Sequence, residues 1–348
     1  MQSIDRMSRE FCQIILILLT SIISVDAQES DPKTLPSSPL LDTVVAETPS
    51  LPIETNSPGY WIVASHASPQ DFDNSPPRFC PSVTRYEQCA GFRRTNMDDL
   101  TQSIQPGIPI CIFCHGSFVS WGDVLHESCE TWKWLHRACS NQQVQMIYFS
   151  WPSDRPVLSP VIQLDVNRLG RRAGRNGFYM ASLVQQIPSE CPVCFVGHSH
   201  GTRVIASSLH LMGGGAVEDY VLAQGPYPQH RMRAVFAASA MDHNWMNPGY
   251  RYDRALHPVE CILNLRNSCD AALFVYPLRH PFSGGALGYT GVTRRDSIKL
   301  GNCGQKVQEL DLSENIGMAH YWPNYFNRPW LAHSIRDYLF FTEYAANL

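Results

Sequence analysis

The sequence predicts an α/β domain built around a mostly parallel β-sheet, and three observations support this fold class. From Gly59 onward, strand-like apolar runs alternate with segments that are long enough for helices. Several runs are apolar at consecutive positions, as expected of strands that helices cover on both faces. One run, Cys194-Phe195-Val196, leads through a glycine-flanked turn directly into a segment with the pattern of a helix. We therefore expect one domain over residues 59–348, with helices on both faces of the sheet.

The predicted strands follow one another along the chain, and most of the intervals between them are long enough for a helix. The strand-like runs are YWIVAS at 60–65, IPICIFC at 108–114, VQMIYFS at 144–150, PVCFV at 192–196, RAVFAAS at 233–239, ECILNL at 260–265 and VQELDL at 307–312. Between the third and fourth runs, Val166, Leu169, Ala173 and Leu183 form one apolar stripe. This spacing predicts an amphipathic helix.

Residues 1–58 are predicted to lie outside this domain. Arg6 and Arg9 precede the apolar segment 14–23, and Val25-Asp26-Ala27 offers small residues at the spacing that a signal peptidase prefers. The apolar segment is short for a membrane span, so we expect a signal peptide over residues 1–27 and an exported protein that is periplasmic, cell-surface or secreted. An uncleaved N-terminal anchor is the alternative. Residues 28–58 combine recurring prolines with polar residues, which predicts a disordered linker.

The composition is that of an ordinary folded protein, and it narrows the function. The chain has 348 residues, of which 44% are apolar and 17% are charged, and its net charge is -4. A nucleic-acid-binding protein normally has a strongly basic balance, so we expect no nucleic-acid partner. The histidines, cysteines and acids are not spaced as metal ligands, so we expect no metal site. The sequence also lacks a glycine-rich phosphate loop, so we expect no cofactor. Among the cysteines, Cys80 and Cys89 are the best candidates for a local disulfide.

The segment GHSHG at residues 197–201 is a Gly-x-Ser-x-Gly sequence with Ser199 at its centre. It follows a predicted strand and opens a predicted helix, which is the setting that a nucleophile elbow requires. Gly197 and Gly201 have a steric role there, because the turn brings the strand and helix backbones close together. Ser199 is the predicted nucleophile, at the carboxyl end of the strand and beside the positive end of a helix dipole. A plain β–α turn is the alternative.

A serine hydroxyl becomes a useful nucleophile only when a base takes its proton and an acid orients that base. His320 lies in the loop after the last predicted strand and is the predicted base, while His333, inside a predicted helix, is the alternative. Asp270 follows the run at 260–265 by a short turn and is the predicted acid. Asp242, which follows the preceding strand, is its competitor.

The segment CHGSF at residues 114–118 provides the remaining part of the predicted site. It follows a predicted strand and carries His115-Gly116, a dipeptide that is common in loops that bind an oxyanion. A negatively charged oxygen in an acyl-transfer intermediate needs fixed backbone donors. We expect the backbone N–H groups of Ser117 and His200 to form this oxyanion hole, with Gly116 as the glycine of the loop. A simple turn at the end of the strand is the alternative.

Together these pieces resemble the α/β-hydrolase superfamily over roughly residues 59–345. The matching segments are IFCHGSF, YFSWPS, FVGHSHGTRV, NLRNSCDAAL, GALGYTGV and IGMAHYWPNYF, and they are similar to a bacterial branch of esterase/lipase-like proteins that are mostly labelled only as hydrolases of unknown function. The resemblance implies an α/β-hydrolase fold, with catalytic residues in the order Ser199, Asp270, His320. Histidine on both sides of the serine departs from common elbows, and leaves open that His198 binds the substrate or the leaving group.

The expected function is therefore that of a serine hydrolase, which cleaves a carboxylic ester or related acyl bond through an acyl-enzyme intermediate and without a cofactor. Its expected partner is a small-molecule or surface-bound acyl substrate, and no stable membrane span is expected after signal cleavage. Two alternatives stay open, because a fold does not dictate function. One is an exported, non-catalytic binding module on the same fold, and the other is an acyltransferase.

Overall fold

The apolar runs form the strands of one central β-sheet. The structure is a computed structural model that describes residues 58–138, 143–154, 162–222, 230–279 and 283–342. Within these residues the strands are β1 (Gly59–Ala64), β2 (Ser82–Glu87), β3 (Gly91–Thr95), β4 (Ile110–Cys114), β5 (Gln145–Ser150), β6 (Val193–His198), β7 (Met232–Ala237), β8 (Cys261–Arg266) and β9 (Val307–Asp311).

The sheet is mostly parallel. Within the described residues it has nine strands in the order β3-β2-β1-β5-β4-β6-β7-β8-β9. Every neighbouring pair from β1 through to β9 is parallel, whereas β2 pairs antiparallel with both β1 and β3. The mixed α/β architecture and the mostly parallel sheet are thus as the sequence predicts. The β2–β3 hairpin was not predicted.

The helices fill the intervals between the strands. They are α1 (Met97–Ser103), α2 (Trp121–Ala138), α3 (Ile162–Val184), α4 (Gly201–Met212), α5 (Ala271–Phe274), α6 (Leu287–Thr290), α7 (Arg294–Leu300), α8 (Ser313–Ile316), α9 (Pro323–Phe326), α10 (Pro329–Ser334) and α11 (Arg336–Phe340), with 3-10 turns at Tyr276–Arg279 and Gly301–Lys306. The apolar stripe predicted for α3 is borne out, because Leu169, Ala173 and Leu183 are buried there.

Apolar side chains on the two faces of the sheet belong to two separate core clusters. Along β4, Ile110 and Ile112 pack into one cluster with residues of α3 and α4, while Cys111 and Phe113 pack into the other with residues of α2. Successive side chains of a strand point to opposite faces, so helices must cover both sides of a strand that is apolar throughout. The central strands are therefore held rigidly between two layers of helices.

The order of the strands brings two loops together at the centre of the sheet. From β4 the chain passes to β5 on one side, whereas β6 pairs with β4 on the other side. The carboxyl ends of β4 and β6 therefore lie side by side where the direction of strand addition reverses. In open α/β sheets, a crevice for ligands forms outside the carboxyl ends of the strands at such a point.

Several expectations concern residues near or beyond the described ranges. The predicted signal peptide at 1–27, and the predicted linker at 28–58 up to residue 57, lie outside the described residues. Cys80 and Cys89 both have free thiols, so the disulfide proposed between them is wrong. The strand β2 lies between the two cysteines, and six residues of extended chain span about 20 Å, far beyond the reach of a disulfide. Among the described residues, no helix has both the length and the apolar character needed to cross a membrane.

Candidate active site

Ser199 lies on a tight turn between β6 and α4, and its backbone is held in a left-handed conformation with a φ of 51°. This region is uncommon for residues other than glycine. The turn is fixed at both ends, because the Ser199 N–H donates to the Ala237 carbonyl at 2.9 Å and the Thr202 hydroxyl donates to the Ser199 carbonyl at 2.6 Å. The side chain of Ser199 is thereby presented at the carboxyl end of β6.

The two glycines that flank Ser199 stand where side chains would collide. A Cβ at Gly201 would overlap the Cys114 carbonyl oxygen and lie 2.6 Å from the carbonyl oxygen of His115. A Cβ at Gly197 would lie 2.6 Å from Ile205 Cδ1. The steric role predicted for the glycines therefore agrees with the close approach of strand, helix and loop.

Three side chains from separate loops form a continuous chain of hydrogen bonds. His320 Nε2 lies 3.0 Å from the Ser199 hydroxyl oxygen, and His320 Nδ1 lies 2.8 Å from Asp270 Oδ2. These are the serine, histidine and aspartate that the sequence singles out. Because a carboxylate only accepts hydrogen bonds, His320 carries its proton on Nδ1 and presents an unprotonated Nε2 to Ser199 when the imidazole is neutral.

Asp270 is fully buried and both of its oxygens have partners. One oxygen accepts from His320, and the other accepts from the Leu273 N–H at 3.0 Å, which makes Asp270 the N-cap of α5. The cap fixes the carboxylate in one orientation. The same aspartate therefore begins a helix and faces the histidine.

Two opposing effects act on the protonation of His320. Burial lowers its pKa, but the negative charge of Asp270 and the hydrogen bond to it outweigh burial, so that the pKa is raised above its ordinary value. A carboxylate at this distance stabilises the positive form of the imidazole. The pair is suited to accept a proton and hold it.

The competing acid and base are placed elsewhere. Asp242 forms a buried ion pair with Arg279 and accepts from the Tyr276 hydroxyl at 3.0 Å. His333 lies on the helix α10, where its side chain is exposed. The structure thus brings Asp270 and His320 together with Ser199, and gives Asp242 a different partner.

The His-Gly loop after β4 lies directly beside Ser199. A Cβ at Gly116 would be 3.0 Å from the Ser199 Cβ, so only glycine allows this approach. His115 anchors the loop: its Nδ1–H donates to the Gly116 carbonyl at 2.8 Å, and its ring stacks on Trp151 at 5.8 Å between centroids. Burial lowers the pKa of His115 to about 4, which keeps the ring neutral.

Ser117 and His200 are in direct contact across the site. The Ser117 hydroxyl lies 2.6 Å from His200 Nδ1. Within the described part of the chain, the backbone N–H groups of these two residues have no hydrogen-bond acceptor. Burial, followed by the charges of Arg203 and His320, lowers the pKa of His200 well below its ordinary value. His200 is therefore neutral. The backbone N–H groups of Ser117 and His200 are two donors that remain available near Ser199.

His198 supports the loop that carries His320. Its Nε2–H donates to the His320 carbonyl oxygen at 2.7 Å, and its ring packs 5.8 Å from the ring of Trp322 and 5.9 Å from that of Tyr325. Burial, and then the neighbouring His320, lowers the pKa of His198 to about 3, so the ring remains a neutral donor. The alternative that His198 binds the substrate or the leaving group is not supported, since its Nε2 is engaged and the side chain is buried.

The sequence reading missed two supporting groups. It did not assign His198 to the His320 loop, because these residues are far apart in the chain and no local pattern links them. It also passed over Arg203, which is buried on α4 with no ion pair among the described residues. A signal for Arg203 existed in the sequence: most other residues of GTRVIASSLHLM are apolar or small, which predicts a buried helix, and an arginine in such a helix needs a partner.

Comparisons with known proteins add no family to these observations. Neither a scan against protein-family models nor a search of curated proteins returns a significant match to this chain.

Proposed function

We propose that this protein is a serine hydrolase of the α/β-hydrolase type, which cleaves a carboxylic ester or related acyl bond through an acyl-enzyme intermediate. The observation that carries the proposal is the hydrogen-bond chain from Ser199 through His320 to Asp270. Nucleophile, base and orienting acid in one such chain form the arrangement that activates a serine hydroxyl. The mostly parallel sheet, with Ser199 at the end of a central strand, is compatible with this fold.

In the first step, the Ser199 hydroxyl oxygen attacks the carbonyl carbon of the substrate while its proton passes to His320 Nε2. The imidazolium that forms is stabilised by Asp270, which also keeps the ring from turning. The carbonyl oxygen becomes negatively charged in the tetrahedral intermediate. When the intermediate collapses, His320 returns the proton to the leaving group and the acyl group remains on Ser199.

The backbone N–H groups of Ser117 and His200 stabilise the negative oxygen in this proposal. Fixed donors aimed at the developing charge supply a large part of the rate enhancement in acyl transfer. The contact between the Ser117 hydroxyl and His200 Nδ1 joins the two segments that carry these donors. Gly116 supports the same role, because its missing side chain lets the loop lie against Ser199.

Water completes the cycle. His320, now neutral, takes a proton from a water molecule, whose oxygen attacks the acyl carbon. A second tetrahedral intermediate collapses to release the acid and restore Ser199. The expected substrate is a small-molecule or surface-bound acyl compound, and export through the predicted signal peptide would place the reaction outside the cytoplasm.

Covalent labelling tests the proposal. A fluorophosphonate probe should label the wild-type protein on Ser199, as peptide mass spectrometry would locate, and Ser199→Ala should remain unlabelled. Ser334→Ala is a matched control, since Ser334 is exposed on α10, and it should be labelled like the wild type. Wild-type protein that is folded but resists the probe, or Ser199→Ala that is still labelled, would refute the proposal.

A further inference from the structure

Three arginines surround the ring of Trp245 on the face of the sheet that α3 and α4 cover. The guanidinium carbons lie 4.5 Å (Arg203), 4.6 Å (Arg251) and 5.5 Å (Arg279) from the ring centroid. Arg251 is exposed, but Arg203 and Arg279 are only 5% and 8% exposed. Stacking on an aromatic face offsets part of the cost of burying a guanidinium group, although it does not replace hydrogen bonds.

The positive charge of this cluster exceeds the negative charge that faces it. Asp242 pairs with Arg279, and its oxygens also accept from the Tyr276 hydroxyl at 3.0 Å and the Gly284 N–H at 3.2 Å. Arg203 has no ion pair among the described residues. Among the described residues, the two buried guanidinium groups therefore share one carboxylate, that of Asp242, as their counter-charge.

Several buried donors of the cluster are left without partners. Within the described residues, Arg203 Nε and Arg279 Nη1 make no hydrogen bond, and neither does the nearby His200 Nε2. Almost all buried polar groups in proteins are hydrogen-bonded, and leaving a charged donor unpaired destabilises the fold. Such a concentration of unpaired donors calls for an acceptor that the described residues do not supply.

Arg233 is another buried arginine, and its guanidinium group is paired with acceptors of the chain. Only 2% exposed, it forms an ion pair with Glu260 and donates to the carbonyl oxygens of Asp337 at 2.7 Å and Thr342 at 3.1 Å. The chain thus surrounds this guanidinium with carboxylate and carbonyl oxygens. Arg203 is as deeply buried, but the hydrogen-bonding group beside it is the neutral Tyr252 hydroxyl, and it has no ion pair among the described residues.

The cluster lies beside Ser199. Arg203 follows Ser199 by four residues on the first turn of α4, where side chains lean toward the helix N-terminus and so toward the Ser199 turn. Both Arg203 and Arg279 are close enough to His200, the neighbour of Ser199, to lower its pKa electrostatically. Gly170 of α3 makes room for Arg203, because a Cβ there would overlap its Nη1.

We propose that Arg203 and Arg279 bind an anionic group, a carboxylate or a phosphate, on the substrate whose acyl bond Ser199 attacks. This inference rests on the proposed hydrolase function and specifies its substrate class. A guanidinium group presents parallel donors that match the oxygens of either anion. The substrate is thus an ester or related acyl compound that carries a negative charge near the scissile bond.

A pair of chromogenic esters of equal chain length tests the inference. The 4-nitrophenyl monoester of glutaric acid ends in a carboxylate, whereas 4-nitrophenyl pentanoate ends in a methyl group. We expect wild-type kcat/KM to be at least about tenfold higher for the glutarate ester, since a desolvated charge pair contributes this much or more. Equal or lower kcat/KM for the glutarate ester would contradict the inference.

Substitutions assign the preference to the cluster. Arg203→Gln should reduce the ratio of the two kcat/KM values by about tenfold or more. Arg171→Gln is a matched control from the exposed face of α3 and should keep the wild-type ratio. If Arg203→Gln does not fold, the double variant Asp242→Asn with Arg279→Gln removes both members of an ion pair together, and it should reduce the ratio in the same direction. An unchanged ratio in the folded variant would overturn the assignment.

Direct binding separates the two anions and separates this inference from the proposed function. Calorimetric titration of Ser199→Ala with glutarate and with inorganic phosphate should give binding of at least one anion, at least about tenfold weaker when Arg203→Gln is added. The tighter anion identifies the charged group. Probe labelling of the wild type, combined either with no ester preference or with no anion binding, would refute this inference alone. Failure of the wild type to be labelled would refute the hydrolase proposal.

Discussion

At the scale of single residues, Asp270 and Asp242 differ in the partners that hold them. Asp270→Asn removes the charge that orients and stabilises His320, so we expect kcat to fall by about a thousandfold or more while the fold is retained. Asp242→Asn leaves Arg279 buried without its partner, so we expect the free energy of unfolding to fall by about 3 kcal/mol, with kcat for a neutral ester within about tenfold of wild type.

Steady-state kinetics and thermal unfolding of the two variants, measured side by side, check this prediction. For each variant, the change in kcat is set beside the change in the midpoint temperature of unfolding. Asp270→Asn should lose turnover, and Asp242→Asn should lose stability. If the folded Asp242→Asn protein lost far more turnover than Asp270→Asn, Asp242 would be the acid and the position of Asp270 beside His320 would be incidental.

The raised pKa of His320 predicts the pH dependence of the reaction. His320 accepts a proton only when it is neutral, so activity is lost as the pH falls through its raised pKa. The acid limb of kcat/KM should therefore lie above about pH 6.5, the ordinary value for histidine. In Asp270→Asn the burial that lowers the pKa remains, and the negative charge that raises it is gone. The acid limb of its residual activity should move to lower pH, and a limb that stays in place would contradict this origin of the shift.

Sequence reasoning located Ser199, Asp270 and His320 because each follows a recognisable strand, and the carboxyl ends of parallel strands share one edge. The same reasoning could not assign His198 to the loop that carries His320, and it could not predict the Arg203 cluster. His198 acts through the backbone of a loop distant in sequence, and the arginines meet only after α3, α4 and the loops beyond β7 and β8 have packed. Contacts that depend on packing leave little trace in local periodicity.

At the scale of elements, close contacts make Gly201 far less replaceable than a glycine in open space. A Cβ at Gly201 would overlap a carbonyl oxygen of β4, so Gly201→Ala should push the β4 loop from the β6–α4 turn. We expect the free energy of unfolding to fall by several kcal/mol, or by about 2–3 kcal/mol if the loop shifts to make room. Gly122, near the start of α2, has its nearest neighbour at 3.7 Å, so Gly122→Ala should be neutral or stabilise by about 0.5 kcal/mol.

Chemical denaturation of both alanine variants measures these differences. Gly122→Ala controls for the general effect of replacing a glycine on the unfolded chain. Equal free energies of unfolding for the two variants would show that the turn is looser than the contacts at Gly201 indicate.

Apart from β9, which is mostly exposed, the strands that the sequence predicted are those whose side chains are buried on both faces. Apolar runs such as β4 and β6 have no alternative location in a folded chain, so their pattern identifies them. The hairpin of β2 and β3 was missed because β3, with the sequence GFRRT, is mostly exposed and charged. At the edge of a sheet, pairing with β2 determines the conformation of β3, and its composition does not.

At the scale of the whole molecule, the sequence predicted the class of the sheet and could not predict the order of its strands. Alternation of strands and helices is compatible with several parallel orders, because each βαβ unit can be added on either side of the preceding strand. The observed order places β4 between β5 and β6. This choice brings Gly116 and Ser199 together, so the candidate site is a product of the complete sheet.

The left-handed backbone of Ser199 implies a trade-off between activity and stability for the domain. A serine at a φ of 51° costs on the order of 1–2 kcal/mol, which glycine does not incur. Ser199→Gly should therefore unfold at a temperature about 2 °C or more above Ser199→Ala, which lacks the same hydroxyl but keeps the strain. Differential scanning calorimetry decides this, and equal midpoints would show that the turn is relaxed. A strained nucleophile position is one that selection for stability alone would have given to glycine.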